Sequence, residues 1–96
     1  MAIAHMVWMK FNDGVSQQRV EHHLSALSAL PAEVPEIVSL NLGENFTDRA
    51  QGYTHGMLVV LESKEGLKAY ANHPAHVPVA NALREDASLM AMDYEY

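Results

Sequence analysis

The chain contains no cysteine, so no disulfide can crosslink it. Its 96 residues are expected to form one domain, residues 1–96. A chain of this size buries only about 60–65% of its unfolded surface. With a modest core and no crosslink, oligomerisation is the expected source of further stability. Long apolar runs are also lacking, and none reaches the roughly 18 residues of a membrane span. Positive charge is scarce: six Lys and Arg stand against twelve Asp and Glu, for a formal charge of −6. The cations (Lys10, Arg19, Arg49, Lys64, Lys68 and Arg84) are scattered, which argues against a phosphate-tracking nucleic-acid surface. Met1-Ala2-Ile3-Ala4-His5 has neither the basic region nor the apolar stretch of a signal peptide. The expectation is a soluble cytoplasmic protein that binds neither nucleic acid nor membrane.

What the chain does have is histidine. Three of its six histidines fall in two clusters, Gly52-Tyr53-Thr54-His55-Gly56 and Tyr70-Ala71-Asn72-His73-Pro74-Ala75-His76-Val77. Imidazole can give and take a proton near neutral pH. Grouped with tyrosine, it points to proton-transfer chemistry or to a metal or haem site.

Hydrophobic periodicity places these clusters on a fold. Ile3 to Phe11 alternates, with Ile3, His5, Val7, Met9 and Phe11 on one face and Ala4, Met6, Trp8 and Lys10 on the other. Asn12-Asp13-Gly14 reads as a turn. Ser16 is a candidate N-cap for a helix to about Leu30, with Val20, His23 or Leu24, Leu27 and Leu30 on one stripe. Pro31 and Pro35 bracket an exit loop. A second strand spans 37–45 and a third 53–62, the latter with His55, Met57, Val59 and Leu61 on one face. Ser63 caps a short helix to about Asn72, and Pro74 fits the first turn of another, to about Glu85. A last strand covers 88–94.

The order β-α-β-β-α-β, with its second helical region broken at Pro74, is the split arrangement of ferredoxin-like α+β folds. Helices would cover one face of a four-stranded antiparallel sheet. The other face carries Trp8, Met6, Leu58, Val60, Met90 and Met92. Such a surface is too apolar to stay wet, and pairing two of them gives a symmetric homodimer. Met6, Met90 and Met92 are then fillers of the dimer core.

Several segments carry a resemblance. Lys10-Phe11 with Asp13-Gly14-Val15-Ser16, then Gly43-Glu44-Asn45, Gly52-Tyr53-Thr54-His55, Tyr70 with His73-Pro74-Ala75-His76-Val77, and Asp93-Tyr94 resemble the Dabb family. These are stress-responsive dimeric α/β-barrel proteins. The resemblance implies two ferredoxin-like sheets facing each other as a barrel, with a cavity between each sheet and its own helices. One plant branch of that family closes a linear polyketide by intramolecular aldol condensation, without metal or cofactor. There a tyrosine and a histidine form the acid/base pair, at positions that match Tyr70 and His76. Two further cavity histidines match His5 and His55.

The resemblance therefore implies Tyr70 and His76 as catalytic residues, with His5 and His55 contacting substrate. Val7, Met9, Met57 and Val59 share the cavity face of the sheet, and His23 and Leu27 join them from the first helix. At that helix the plant branch has bulky aromatics, so its particular substrate does not transfer. Each histidine also has a plain structural alternative. His76 could donate to a backbone carbonyl at a helix start, and His5 and His55, on neighbouring strands, could satisfy one another. His73 reads as a helix cap. His5, His55 and His76 are the one trio that could offer zinc three ligands. No metal and no cofactor is the expectation.

Three functions compete: a cofactor-free acid/base enzyme on a small carbonyl compound, akin to a polyketide cyclase; a non-catalytic stress-responsive or small-molecule-binding protein; and a monooxygenase-like protein, with or without haem held by His76. A haem titration without a Soret shift would remove the haem variant.

Overall fold

A computed structural model describes residues 1–96. The elements run β1 (Ile3–Phe11), α1 (Gln17–Ser28), α2 (Leu30–Glu33), β2 (Ile37–Glu44), β3 (His55–Leu61), α3 (Lys64–Asn72), α4 (His76–Asp86) and β4 (Ala87–Glu95). The four strands form one antiparallel sheet in the order β2-β3-β1-β4. This is the expected ferredoxin-like topology.

The helix starts follow local chemistry. Ser16 accepts a hydrogen bond from the Arg19 N–H at 3.1 Å, and Ser63 accepts one from the Gly66 N–H at 3.0 Å. Each satisfies a donor that the first turn leaves free. Gly14 takes the left-handed conformation that the turn after β1 demands (φ +88°), which costs glycine little.

Three boundaries differ from expectation by two residues or more. The segment after α1 is a separate helical turn, α2, with Pro31 in its first turn, where proline's missing N–H is harmless. Strand β3 starts at His55 rather than Tyr53. Helix α4 starts at His76 rather than Pro74. A proline steers the residue before it away from helix, and His73 is extended (φ −65°, ψ 136°).

Alternation along β1 sorts the two sheet faces. Ile3, Val7 and Met9 turn toward the helices and are buried with Val59, Leu61, Leu27, Leu30, Val34, Tyr70 and Leu83. On the other face Trp8, Met90, Met92 and Tyr94 are 41%, 46%, 64% and 50% exposed. Trp8 stands opposite Met90, and Met6 opposite Met92, so the exposed apolar residues form one patch.

One polar cluster lies inside the helical layer. His23 on α1 meets Asp86 at the end of α4 (Nε2 to Oδ2, 2.6 Å), and both are buried. Arg19 donates to both Asp86 oxygens at 2.6 and 2.7 Å. The His23 hydrogen bond, helped by Arg19 and opposed by desolvation, holds the Asp86 carboxyl below its ordinary pKa. Sequence reading sent His23 to the ligand cavity; the structure sends it to Asp86, because a buried carboxylate needs donors.

Two predictions follow from this packing. Leu27 is 2% exposed, so Leu27→Ala should cost about 2–5 kcal/mol in a urea melt. A depressed carboxylate pKa adds stability above the unfolded value of about 3.9 and loses it as pH falls through the folded value. Asp86→Asn should therefore lower the melting temperature at neutral pH and flatten its fall below about pH 4.

Candidate active site

Between the sheet and helices α1, α3 and α4 lies a cavity of about 330 Å³, within the range of small-ligand sites. Val7, Met57, Leu89 and Ala91 form its sheet side; Leu27, Leu67, Ala80 and Leu83 contribute from the helices. Four polar side chains break this apolar lining: His5, Tyr70, His76 and Arg84.

Tyr70 is set by helical spacing. It lines the cavity from α3 with Leu67 and Ala71; Tyr70 and Ala71 lie three and four residues after Leu67, the spacing of one helical stripe. Only 1% of it is exposed, and its hydroxyl has no hydrogen-bond partner in the protein. Burial pushes the phenol pKa up from 10.0 to about 12. The group is a neutral O–H donor at physiological pH.

His76 is delivered by the break at Pro74. The His73 carbonyl accepts the N–H groups of His76 and Val77 at 2.9 and 3.0 Å. The His73 ring nitrogen Nδ1 accepts the Ala75 N–H at 3.0 Å, so His73 serves the turn, as expected. The chain thereby reverses, and the rings of Tyr70 and His76 meet at 4.3 Å between centroids. Nδ1 of His76 donates to the Ala71 carbonyl at 3.1 Å. A carbonyl only accepts, so the proton of the neutral ring sits on Nδ1 and Nε2 carries the free lone pair. Burial lowers the His76 pKa, the Ala71 bond raises it, and His5, Arg84 and His73 lower it further; the net direction is down.

His5 completes the group. Its ring stands edge-on to Tyr70, 5.6 Å between centroids. Its Nδ1 is hydrogen-bonded to the Asp93 carboxylate, which β1–β4 pairing places directly opposite. A carboxylate on one imidazole nitrogen fixes which way the other points.

The remaining candidates divide. Val7, Met57 and Leu27 line the cavity. Met9 and Val59 do not; both are fully buried in the core. His55 was expected beside His5 and is not. The strands are antiparallel, so Val59 stands opposite His5, and Met9 opposite His55. The four residues from His5 to Met9 span roughly 13 Å of strand. His55 bonds instead to the Thr54 hydroxyl at 2.8 Å, packs on Phe11, and borders a different, open depression with Trp8 and Tyr53. The trio His5, His55 and His76 is thus not assembled as a ligand set, and no group of three potential metal ligands converges elsewhere.

Two polar residues at the site were missed in the sequence reading, Asp93 and Arg84. The signal for Arg84 was present: it follows His76 by two helical turns and so shares its face. Asp93 required the β1–β4 register.

This fold and cavity belong to a known class. The chain matches the Stress responsive A/B Barrel Domain family over residues 3–96 and belongs to that family. It is 30% identical over 97 residues to olivetolic acid cyclase of Cannabis sativa, covering 98% of this chain and 96% of that protein. Among solved structures, it is similar to a dimeric ferredoxin-like protein of unknown function from Thermobifida fusca. That match has 28% identity and a TM-score of 0.88, and covers 100% of this chain and 92% of the other. The hydroxynitrile lyase of Passiflora edulis shares the fold with a TM-score of 0.92 at 18% identity, covering 97% and 91% of the two chains.

The unpartnered hydroxyl makes Tyr70 testable without any substrate. Removing a buried, unsatisfied polar group relieves its desolvation cost. Tyr70→Phe should leave the unliganded protein equally stable or raise its stability by about 1 kcal/mol, measured by denaturant melts. A loss of more than that would show that the hydroxyl has a structural partner.

Proposed function

We propose that this protein is an acid/base enzyme, needing neither metal nor cofactor, that removes a proton from the carbon beside a carbonyl. The observation that carries this reading is the contact of Tyr70 and His76 within a mostly apolar cavity. Nε2 of His76 is the base. Its lowered pKa keeps it unprotonated at neutral pH. Tyr70, protonated up to about pH 12, hydrogen-bonds the carbonyl oxygen as it takes on the charge of an enolate. In an aldol closure the enolate carbon attacks a second carbonyl, and the imidazolium returns its proton to the new alkoxide. The His5–Asp93 pair packs behind Tyr70 and places a second imidazole in the same cavity. Similarity to a protein named a cyclase supports this reading.

The same reading includes a homodimer formed through the open sheet face. Trp8, Met90 and Met92 lie there as one exposed patch. The similar Thermobifida fusca protein is described as dimeric.

Exchange of the acidic protons of a β-dicarbonyl compound into deuterated water, followed by NMR, tests the chemistry. His76→Ala should slow it by about 10²–10⁴-fold, and Tyr70→Phe should slow it as well. Equal exchange by wild type and the double variant would overturn the proposal. The wild-type rate should rise with pH through a value below 6.5 and then level off, because the base works only when unprotonated. For the assembly, light scattering should give twice the chain mass, and Trp8→Glu should give a folded monomer.

A further inference from the structure

Arg84 is the one permanently charged group in the cavity wall, and nothing in the mechanism above uses it. It also has no anionic partner. The carboxylates of the protein are contacted by basic side chains in the pairs His5–Asp93, Arg19–Asp86, His23–Asp86 and Lys64–Glu95. Arg84 makes one side-chain hydrogen bond, from Nη1 to Asn81 Oδ1 at 3.2 Å. In a chain with twice as many acidic as basic side chains, this arginine contacts no carboxylate.

Its position relative to His76 is set by helix geometry. His76, Ala80, Leu83 and Arg84 line the cavity from α4, so the arginine belongs to the same stripe, about two turns beyond the histidine. Helical side chains lean toward the N-terminus. The bond to Asn81, one turn back, shows Arg84 leaning that way. The guanidinium therefore lies on the His76 side of its own Cα. Its charge is felt at His76, where it lowers the pKa.

We propose that Arg84 receives a carboxylate of the substrate at the cavity mouth, so that the compound acted on is a short keto acid. This rests on the acid/base reading of the site and adds the anionic end of the substrate to it. A guanidinium has five N–H donors in a planar fork, and the Asn81 bond occupies only one nitrogen. The free edge matches a carboxylate in two parallel hydrogen bonds. With the carboxylate held there, the chain of the substrate runs along α4 past Ala80, whose small side chain leaves room, and its acidic carbon reaches Nε2 of His76. Selectivity follows: a neutral ester of the same acid fits the apolar walls but lacks the second anchor.

Acetoacetate and methyl acetoacetate separate the charge from the shape. Binding of each to the full chain is read by NMR titration, for wild type, Arg84→Gln and Arg84→Lys. The wild type should bind the acid about tenfold more tightly than the ester. Arg84→Gln should bind the two alike, and Arg84→Lys should recover part of the preference. Arg84 is exposed, and dispersed amide spectra of both variants would show that they fold. Equal affinity of the wild type for acid and ester, a preference that survives in Arg84→Gln, or no saturable binding of the acid would each overturn the proposal. Deuterium exchange on the same samples separates the two ideas. Acid bound through Arg84 but not exchanged would sink the acid/base reading alone. Ester exchanged as well as acid would sink the role of Arg84 alone.

Discussion

Strand β1 is hydrogen-bonded along both edges, to β3 on one side and β4 on the other, and its two faces meet different surroundings. Every second residue must point to the helices and every other one away. That alternation puts His5 and Val7 into the cavity and Trp8 onto the open face. A slip of one residue would exchange the two sets. The cavity chemistry and the exposed patch therefore depend on a single register. Asp93 is held to it as well, because it lies opposite His5 only in this pairing.

A second constraint is the interruption between α3 and α4. An unbroken helix would carry Tyr70 and His76 almost two turns apart along one axis. Pro74 and the extended His73 end α3 and let the chain turn. The rings then come within 4.3 Å. Three backbone N–H groups freed at the break are taken by the His73 carbonyl and ring. The fixed turn in turn aims Nδ1 of His76 at the Ala71 carbonyl, which decides the tautomer. The meeting of these two rings is a property of a helix break that closes its own hydrogen bonds.

Electrostatically the molecule keeps its buried charges apart. Asp86 is matched by His23 and Arg19 between α1 and α4. Tyr70 is left without a partner and stays neutral. An orphan hydroxyl costs stability, and this one belongs to the cavity wall beside His76. Arg84 has no carboxylate partner. Both residues border the cavity beside His76.

The ferredoxin-like fold, the caps at Ser16 and Ser63 and the apolar open face were all legible in the sequence. Each is governed by alternation, helical spacing or capping, which act over a few residues. Tyr70 and His76 were legible through the resemblance of their segment, since spacing by itself left His76 an ordinary helix-start residue. Other placements came from contacts between distant segments. The direction of β3 against β1 separated His55 from His5. A carboxylate at the far end of α4 drew His23 out of the cavity. The β4 register set Asp93 beside His5, and depth in the core withdrew Met9 and Val59 from the wall. The sequence by itself determined which residues turn toward the helices. Which of those meet open space, and which meet each other, was decided only when strands and helices far apart in the chain packed together, because burial and pairing are properties of the assembled layers.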